Sequence, residues 1–526
     1  MYGRMYKDVL PTADGRSYPV LAASLTVDPA FRVGEIDRRL FGSFVEHMGR
    51  CVYTGIFEPG HPAADDRGFR RDVLALTREL GVTLVRYPGG NFVSGYRWED
   101  GIGPVAERPT RLDLAWRSIE PNTFGLDEFM AWAAEAGVQP MMAVNLGSRG
   151  IQEAADLIEY TNHPGGTRLS DLRKANGASE PYGVTLWCLG NELDGPWQVG
   201  HKTADEYGRL AAETARAMRM VDPSIELVAC GSSNPRMSTF GAWEATVLGH
   251  TYELVDYLSL HSYYEERPGD RGSFLAASVG MDRMISEILA TADHVGAVKG
   301  SAKKMKLSFD EWNVWYEAQW TAGEQPEWEH APRLIEDEYS VVDAVVVGSL
   351  LMTLLNHADR VSIACQAQLA NIIAPIRTEP GGPAWRQSIF HPFAATARLA
   401  KGSALVVRPV CPTYPTDEHG DVPVLATAAS YDDESGALSL FLVNRSTTEP
   451  LLLDADLRSL PGLCVAEHLQ LCDDHAEATN TADHPERVQL VTGSGSRLQG
   501  GRLQVSLPPL SWSVLHLRPD APATSM

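Results

Sequence analysis

Trp187-Cys-Leu-Gly-Asn-Glu-Leu-Asp194 closes an apolar run that begins at Val184. The run has the length and the β-branched or aromatic content of a buried strand, and Gly190 ends it. Asn191 and Glu192 then fall at the strand's C-terminal end, where parallel-sheet enzymes hold their chemistry. A second stretch, Met305-Lys-Leu-Ser-Phe-Asp-Glu-Trp-Asn313, has the same form and sets Glu311 at another strand end. Two glutamates so placed suggest a carboxylate pair, with the rest of the chain as its frame.

Outward from these two stretches, short apolar runs alternate with amphipathic segments. Strands are expected at 40–45, 83–87, 140–145, 184–189, 226–230, 257–260, 305–309 and 360–365. Helical patterns fall at 69–80, 126–136, 151–160, 204–220, 281–294 and 336–356, and Gly81 and Gly137 follow two of them as helix-ending glycines do. Eight β/α units imply a (β/α)8 TIM barrel with its site at the strand C-termini. A doubly wound open sheet is the alternative, but no glycine-rich nucleotide loop favours it. After about Lys401 the helical period disappears. Alternating runs such as Ala437-Leu-Ser-Leu-Phe-Leu-Val443 and Leu503-Gln-Val-Ser-Leu507 read as an all-β sandwich. The division expected is an extension over 1–17, one or two strands in 18–36 joining the β domain, the barrel over 37–400 and the sandwich over 401–526.

The 526 residues are too many for one ordinary core, and 44% hydrophobic with 21% charged residues is a globular composition. A net charge of −23 argues against nucleic acid and anionic membrane as partners. The seven cysteines are scattered, odd in number and without a CxxC pair, as buried thiols in a reducing compartment would be. No signal peptide and no stretch of transmembrane length is read, so the expectation is cytoplasmic. Asn444-Arg-Ser446 is a glycosylation sequon that carries little weight without export.

Hydrolysis of a glycosidic bond needs a proton for the leaving oxygen and negative charge near the anomeric carbon, and two carboxyl groups supply both. Glu192 and Glu311 would stand on strands 4 and 7, across the barrel mouth from each other. Either alone could be a helix-start or surface acid. Their surroundings argue otherwise: Asn191 could hold a hydroxyl, and Phe309, Trp312, Trp315 and Tyr316 form an aromatic set suited to sugar faces, although such residues also fill cores.

The ordered set of segments resembles glycoside hydrolase family 51, the α-L-arabinofuranosidases. The segments are Phe41-Gly-Ser-Phe-Val-Glu-His47, Arg86-Tyr-Pro-Gly-Gly-Asn-Phe92, Trp187-Cys-Leu-Gly-Asn-Glu192, Leu260-His-Ser-Tyr263, Ser308-Phe-Asp-Glu-Trp-Asn313 and Ala367-Gln-Leu-Ala-Asn-Ile-Ile-Ala-Pro375. The resemblance implies Glu192 as acid/base, Glu311 as nucleophile, and Asn191 on the sugar 2-hydroxyl. It also implies Glu46, Asn91 and Gln368 on the other hydroxyls, Tyr263 against the nucleophile, His261 beside the acid/base, Arg86 orienting carboxylates, and Trp116 and Trp320 as pocket walls. A jelly-roll β domain, exo action with retention on arabinose-containing oligosaccharides, no metal or cofactor, and assembly into hexamers are implied with it.

Each role has a plain rival. Arg86 could be a structural ion pair, since a buried arginine must be paired. His261 could be a satisfied core histidine, and Asn91 an exposed residue after the Pro88-Gly89-Gly90 turn. Gln368, an amide in an apolar strand, needs partners if buried. Glu46-His47 looks like a metal-ligand fragment, but no HExxH accompanies it. An endoglucanase or xylosidase on the same barrel, a non-catalytic sugar-binding barrel and a metal-dependent hydrolase are the competing readings.

Overall fold

The computed structural model describes residues 20–323 and 326–520, and the expected extension over 1–17 lies outside them. Eight parallel strands close a barrel: β1 (Gly42–Phe44), β2 (Leu84–Tyr87), β3 (Gln139–Ala143), β4 (Leu186–Leu189), β5 (Glu226–Ala229), β6 (Tyr257–Tyr264), β7 (Lys306–Val314) and β8 (Val361–Gln366). One main helix follows each: α1 (Arg71–Leu80), α2 (Leu126–Ala136), α3 (Ile151–Asn162), α4 (Ala204–Val221), α5 (Ala242–Thr251), α6 (Ala277–Lys299), α7 (Val341–Asn356) and α8 (Phe390–Leu399). All eight expected strands are present, each next to its chain neighbour, with β8 returning to β1.

Helix ends follow local chemistry. Gly81 and Gly137 close α1 and α2 at φ 80° and 76°, a backbone region that costs glycine nothing. Thr203 and Glu206 cap α4 reciprocally, as Ser340 and Asp343 cap α7. Helices α5 and α8 were not anticipated.

Two strands run further than expected. β6 continues to Tyr264 and β7 to Val314, so His261, Tyr263 and Glu311 lie inside strands. The expected strands stop at Leu260 and Phe309, but His261, Asp310, Glu311 and Asn313 beyond them are buried and hydrogen-bonded. Gln368, in contrast, lies beyond β8, which ends at Gln366.

Most of the remaining strands form two sheets around a second apolar core, and three two-stranded hairpins stand apart from them. One has four strands in the order Leu21–Thr26, Leu451–Asp456, Arg502–Leu507 and Ser496–Gln499. Leu21–Thr26 runs parallel to Leu451–Asp456, so the first described strand belongs with the end of the chain. The other sheet has seven strands and includes Arg32–Glu35, paired antiparallel with Ser403–Leu405. Asn444 of the sequon donates from its buried amide to the carbonyls of Glu449, Leu507 and Pro508, at 3.0, 3.3 and 2.9 Å.

Helix α7 joins barrel to sandwich. Val341 to Leu355 are buried on every face, the mark of a helix with packing partners all round. Gly348 makes the close approach possible: a Cβ there would lie 2.2 Å from Trp512 Cδ1 of the sandwich.

Candidate active site

The C-terminal ends of the barrel strands surround a cavity of about 850 Å3. Glu192 follows β4 at φ 43°, a left-handed backbone that turns its carboxyl inward. Its Oε1 is 2.8 Å from His261 Nδ1, and its Oε2 accepts the Trp197 indole N–H at 2.7 Å. Glu311 faces it from β7. Its Oε1 accepts from Arg86 Nη1 at 2.6 Å and its Oε2 from the Tyr263 hydroxyl at 2.7 Å. One ligand-forming atom from each of Glu192, His261 and Glu311 lies within 4.8 Å of the other two.

Behind this pair stands a buried charge network. Arg86 Nη2 donates to Asn191 Oδ1 at 2.7 Å, and Arg86 Nε lies 4.0 Å from Asp310 Oδ2. His261 Nε2 is 3.0 Å from Asp310 Oδ1, and Ser259 donates to the same oxygen. Burial alone would push the His261 imidazole down, but Glu311, Asp310 and Glu192 override it and raise it to about 10. His261 is therefore a cation at neutral pH, donating to Glu192 through one nitrogen and to Asp310 through the other. Burial pushes Glu311 up, as does Glu192, while His261, Arg86 and Tyr263 pull it back. Burial also works against ionised Asp310, yet Arg86 and His261 hold its carboxyl below the usual range. A metal bound by Glu192, His261 and Glu311 would have to displace Arg86 and Tyr263 from Glu311 and take the proton from His261.

The cavity's deep end is polar. Glu46 Oε1 accepts the Phe92 backbone N–H and the Trp116 indole N–H, both at 2.9 Å, and its Oε2 accepts from Gln368 Nε2 at 3.1 Å. Burial pushes the Glu46 carboxyl up to about 8 against the Phe92 bond. A Cβ at Gly90 would sit 2.4 Å from Glu46 Oε2, so the Gly89-Gly90 turn leaves the space this carboxyl fills. Gln368 Oε1 is buried with no protein partner among the described residues, an acceptor whose capacity the protein leaves unused. Asn91 lines the wall, and Trp116 and Trp320 meet edge to face with ring centroids 6.4 Å apart. His47 takes no part; its ring nitrogens go to Glu120 and Tyr87.

All eleven expected residues thus gather at one place. Eight line the cavity, and Arg86, His261 and Asn191 stand one layer behind the wall, bonded to Glu311, Glu192 and Asn91. The aromatic set divides: Phe309 and Trp312 are fully buried in the core, and the Tyr316 hydroxyl donates to Asp343 Oδ1 at 2.8 Å. Of the four, Trp315 reaches the cavity. Three functional neighbours were not anticipated, namely Asp310, Ser259 and Trp197. Regular alternation would put Asp310 and Glu311 on opposite faces. The register shift between Phe309 and Trp312 breaks that alternation and brings both to His261.

Models of two known domains match this chain: "Alpha-L-arabinofuranosidase 1 domain" over residues 76–277 and "Alpha-L-arabinofuranosidase C-terminal domain" over 310–511. An intracellular exo-α-(1→5)-L-arabinofuranosidase of Streptomyces lividans is 58% identical over 504 residues, covering 95% of this chain and 76% of the relative. The chain belongs to glycoside hydrolase family 51, the α-L-arabinofuranosidases. Within family 51, an enzyme of Bifidobacterium longum of solved structure superposes with a TM-score of 0.91 at 46% identity, covering 94% of this chain and 99% of that one. An exo-α-(1→6)-L-arabinofuranosidase, also of Bifidobacterium longum, is 52% identical over 507 residues, covering 94% of this chain and 97% of the relative.

Proposed function

We propose that the chain is an exo-acting α-L-arabinofuranosidase that releases terminal arabinofuranosyl residues by double displacement with retention. The observation that carries the mechanism is the approach of Glu192 and Glu311, whose nearest ligand-forming atoms lie within 4.8 Å. Carboxyl groups about 5–5.5 Å apart leave no room for a water between one of them and the sugar, so that one attacks directly. Glu311 is the nucleophile, the role the family resemblance gives it, and Arg86 and Tyr263 aim its two oxygens. Glu192 is the acid/base. It protonates the leaving oxygen, an arabinosyl ester forms on Glu311, and Glu192 then takes a proton from the water that cleaves it. Glu46, Gln368, Asn91 and Asn191 bind the ring hydroxyls, and Trp116 and Trp320 close over them.

An endoglucanase or xylosidase is not favoured, because the relatives at 58% and 52% identity are named as exo-arabinofuranosidases. Those two names carry different linkages, so linkage is a question for an oligosaccharide panel. The Streptomyces relative is named intracellular, and the free cysteines and absence of a membrane-crossing helix among the described residues fit a cytoplasmic enzyme. Hexameric assembly follows from the family resemblance and is checked by light scattering.

The test is the initial rate on 4-nitrophenyl α-L-arabinofuranoside. The wild type releases nitrophenol with EDTA present. Glu311→Ala loses activity by about 10⁴-fold or more on every substrate. Glu192→Ala still forms the ester from this acidic leaving group, stalls at hydrolysis, and regains turnover with azide. Equal loss in both variants with azide restoring neither would overturn the assignment of roles.

A further inference from the structure

The cavity does not end at the catalytic pair. From Glu192 and Glu311 it crosses the top of β6, passes Arg267, and reaches Arg283 on α6 together with Glu418 and His419. Its volume of about 850 Å3 is near the top of the range of about 300–1,000 Å3 for pockets that enclose drug-sized ligands, and exceeds the needs of one pentose ring. Glu418 and His419 come from the other domain. They form the tip of a hairpin, Thr413–Thr416 with Gly420–Pro423, that leaves the sandwich.

The hairpin is fastened to the barrel beside the cavity. Tyr414 donates from its hydroxyl to the Gly272 carbonyl at 3.1 Å, and the Glu418 backbone N–H donates to Ser273 Oγ at 3.2 Å. Arg267 and Glu418 form an ion pair. The His419 ring rests against α6 at Gly280, where a Cβ would lie 3.2 Å from His419 Cε1. Its side chain is 11% exposed, yet Nδ1 has no hydrogen-bond partner among the described residues. His419 and Arg267 both line the cavity, and the Nδ1 bonding capacity is left unused by the protein. Neutral imidazole offers one donor and one acceptor, which suits a sugar hydroxyl. Arginine and carboxylate heads beside it extend the same chemistry.

We propose that this hairpin completes a subsite for the leaving-group sugars of an oligosaccharide, with His419 and Arg267 bonding hydroxyls beyond the first residue released. The proposal rests on the arabinofuranosidase reading above. It makes the domain boundary a specificity-determining wall, since a residue from the sandwich meets the part of the substrate that is not hydrolysed.

The experiment compares kcat/KM on 4-nitrophenyl α-L-arabinofuranoside with kcat/KM on α-1,5-linked arabino-oligosaccharides of two to five residues. His419→Ala is expected to lower the value about tenfold on the longest oligosaccharide, the effect of about one lost hydrogen bond, and to leave the aryl substrate unchanged. His419→Asn, which keeps an amide able to bond a hydroxyl, restores most of it. Arg267→Ala shows the same dependence on substrate length. An equal loss on both substrate classes would mark these residues as structural and overturn the subsite, as would an unchanged length profile in all three variants. If the wild type releases no nitrophenol, the enzymatic reading itself fails and the subsite goes with it.

Discussion

Asp310 shows how much of a site can hide beside an obvious residue. Glu311 was legible as a carboxylate after an apolar run, but its neighbour was not, because regular strand alternation would face it away. In the structure Asp310 holds His261 at 3.0 Å and lies 4.0 Å from Arg86 Nε. With Glu311 and Glu192 it keeps the imidazole charged up to about 10. Asp310→Asn removes one of three carboxylates that raise this group, so His261 loses its proton at lower pH. The alkaline limb of the kcat/KM profile is expected to move down by about one pH unit or more, while the acid limb stays. A uniform fall at all pH values would instead mean that Asp310 only packs. Trp197 was missed for a simpler reason: a half-exposed tryptophan in a loop carries no sequence sign that its indole N–H meets Glu192.

At the scale of elements, the eight strands were readable because each begins with a short apolar run bounded by turn residues. What escaped were the extensions of β6 and β7, where polar residues stay in the sheet because they bond to one another across the barrel mouth. Helix α5 escaped because it carries apolar residues widely around its surface and interrupts them with buried Glu244. Helix α7 was legible as apolar but not as a bridge between domains, which only Trp512 reveals. Gly348 tests that bridge. Alanine is the better helix former by about 1 kcal/mol, so propensity predicts a gain from Gly348→Ala. The rigid Trp512 ring stands 2.2 Å from the new Cβ, and overpacking of this kind costs about 1–3 kcal/mol. The variant is expected to unfold at lower denaturant than wild type, whereas a rise in midpoint would mean that the indole has room to move.

The molecule as a whole buries an unusual set of raised carboxyls. Burial pushes Glu46 and Glu153 up to about 8, and Asp113, Asp194 and Asp343 up to about 6. An unfolded chain releases those protons near 4, so between pH 4 and 8 the folded state binds more protons than the unfolded one. His261, raised from 6.5 to about 10, has the same sign in a later window. His391, His419, His468 and His516 are lowered by burial and oppose this below about pH 6.5, but the raised carboxyls and His261 span the wider interval, so stability falls as pH rises from 5.5 to 8.5. Tm is expected to be higher at pH 5.5 than at pH 8.5. Glu46→Gln, which removes one of these groups, should lose less over that interval. A Tm that climbs from pH 5.5 to 8.5 would contradict this account. The sandwich adds a constraint of another kind. Its strand Leu21–Thr26 pairs with Leu451–Asp456, so the first strand leaves the ribosome long before its partner exists. At about 5–20 residues per second that wait is about 20–90 seconds, and the sheet cannot close before Leu451–Asp456 has emerged. The apolar face of that strand stays uncovered meanwhile, so the yield of active enzyme from a cell depends on translation speed and on chaperones as well as on the final fold.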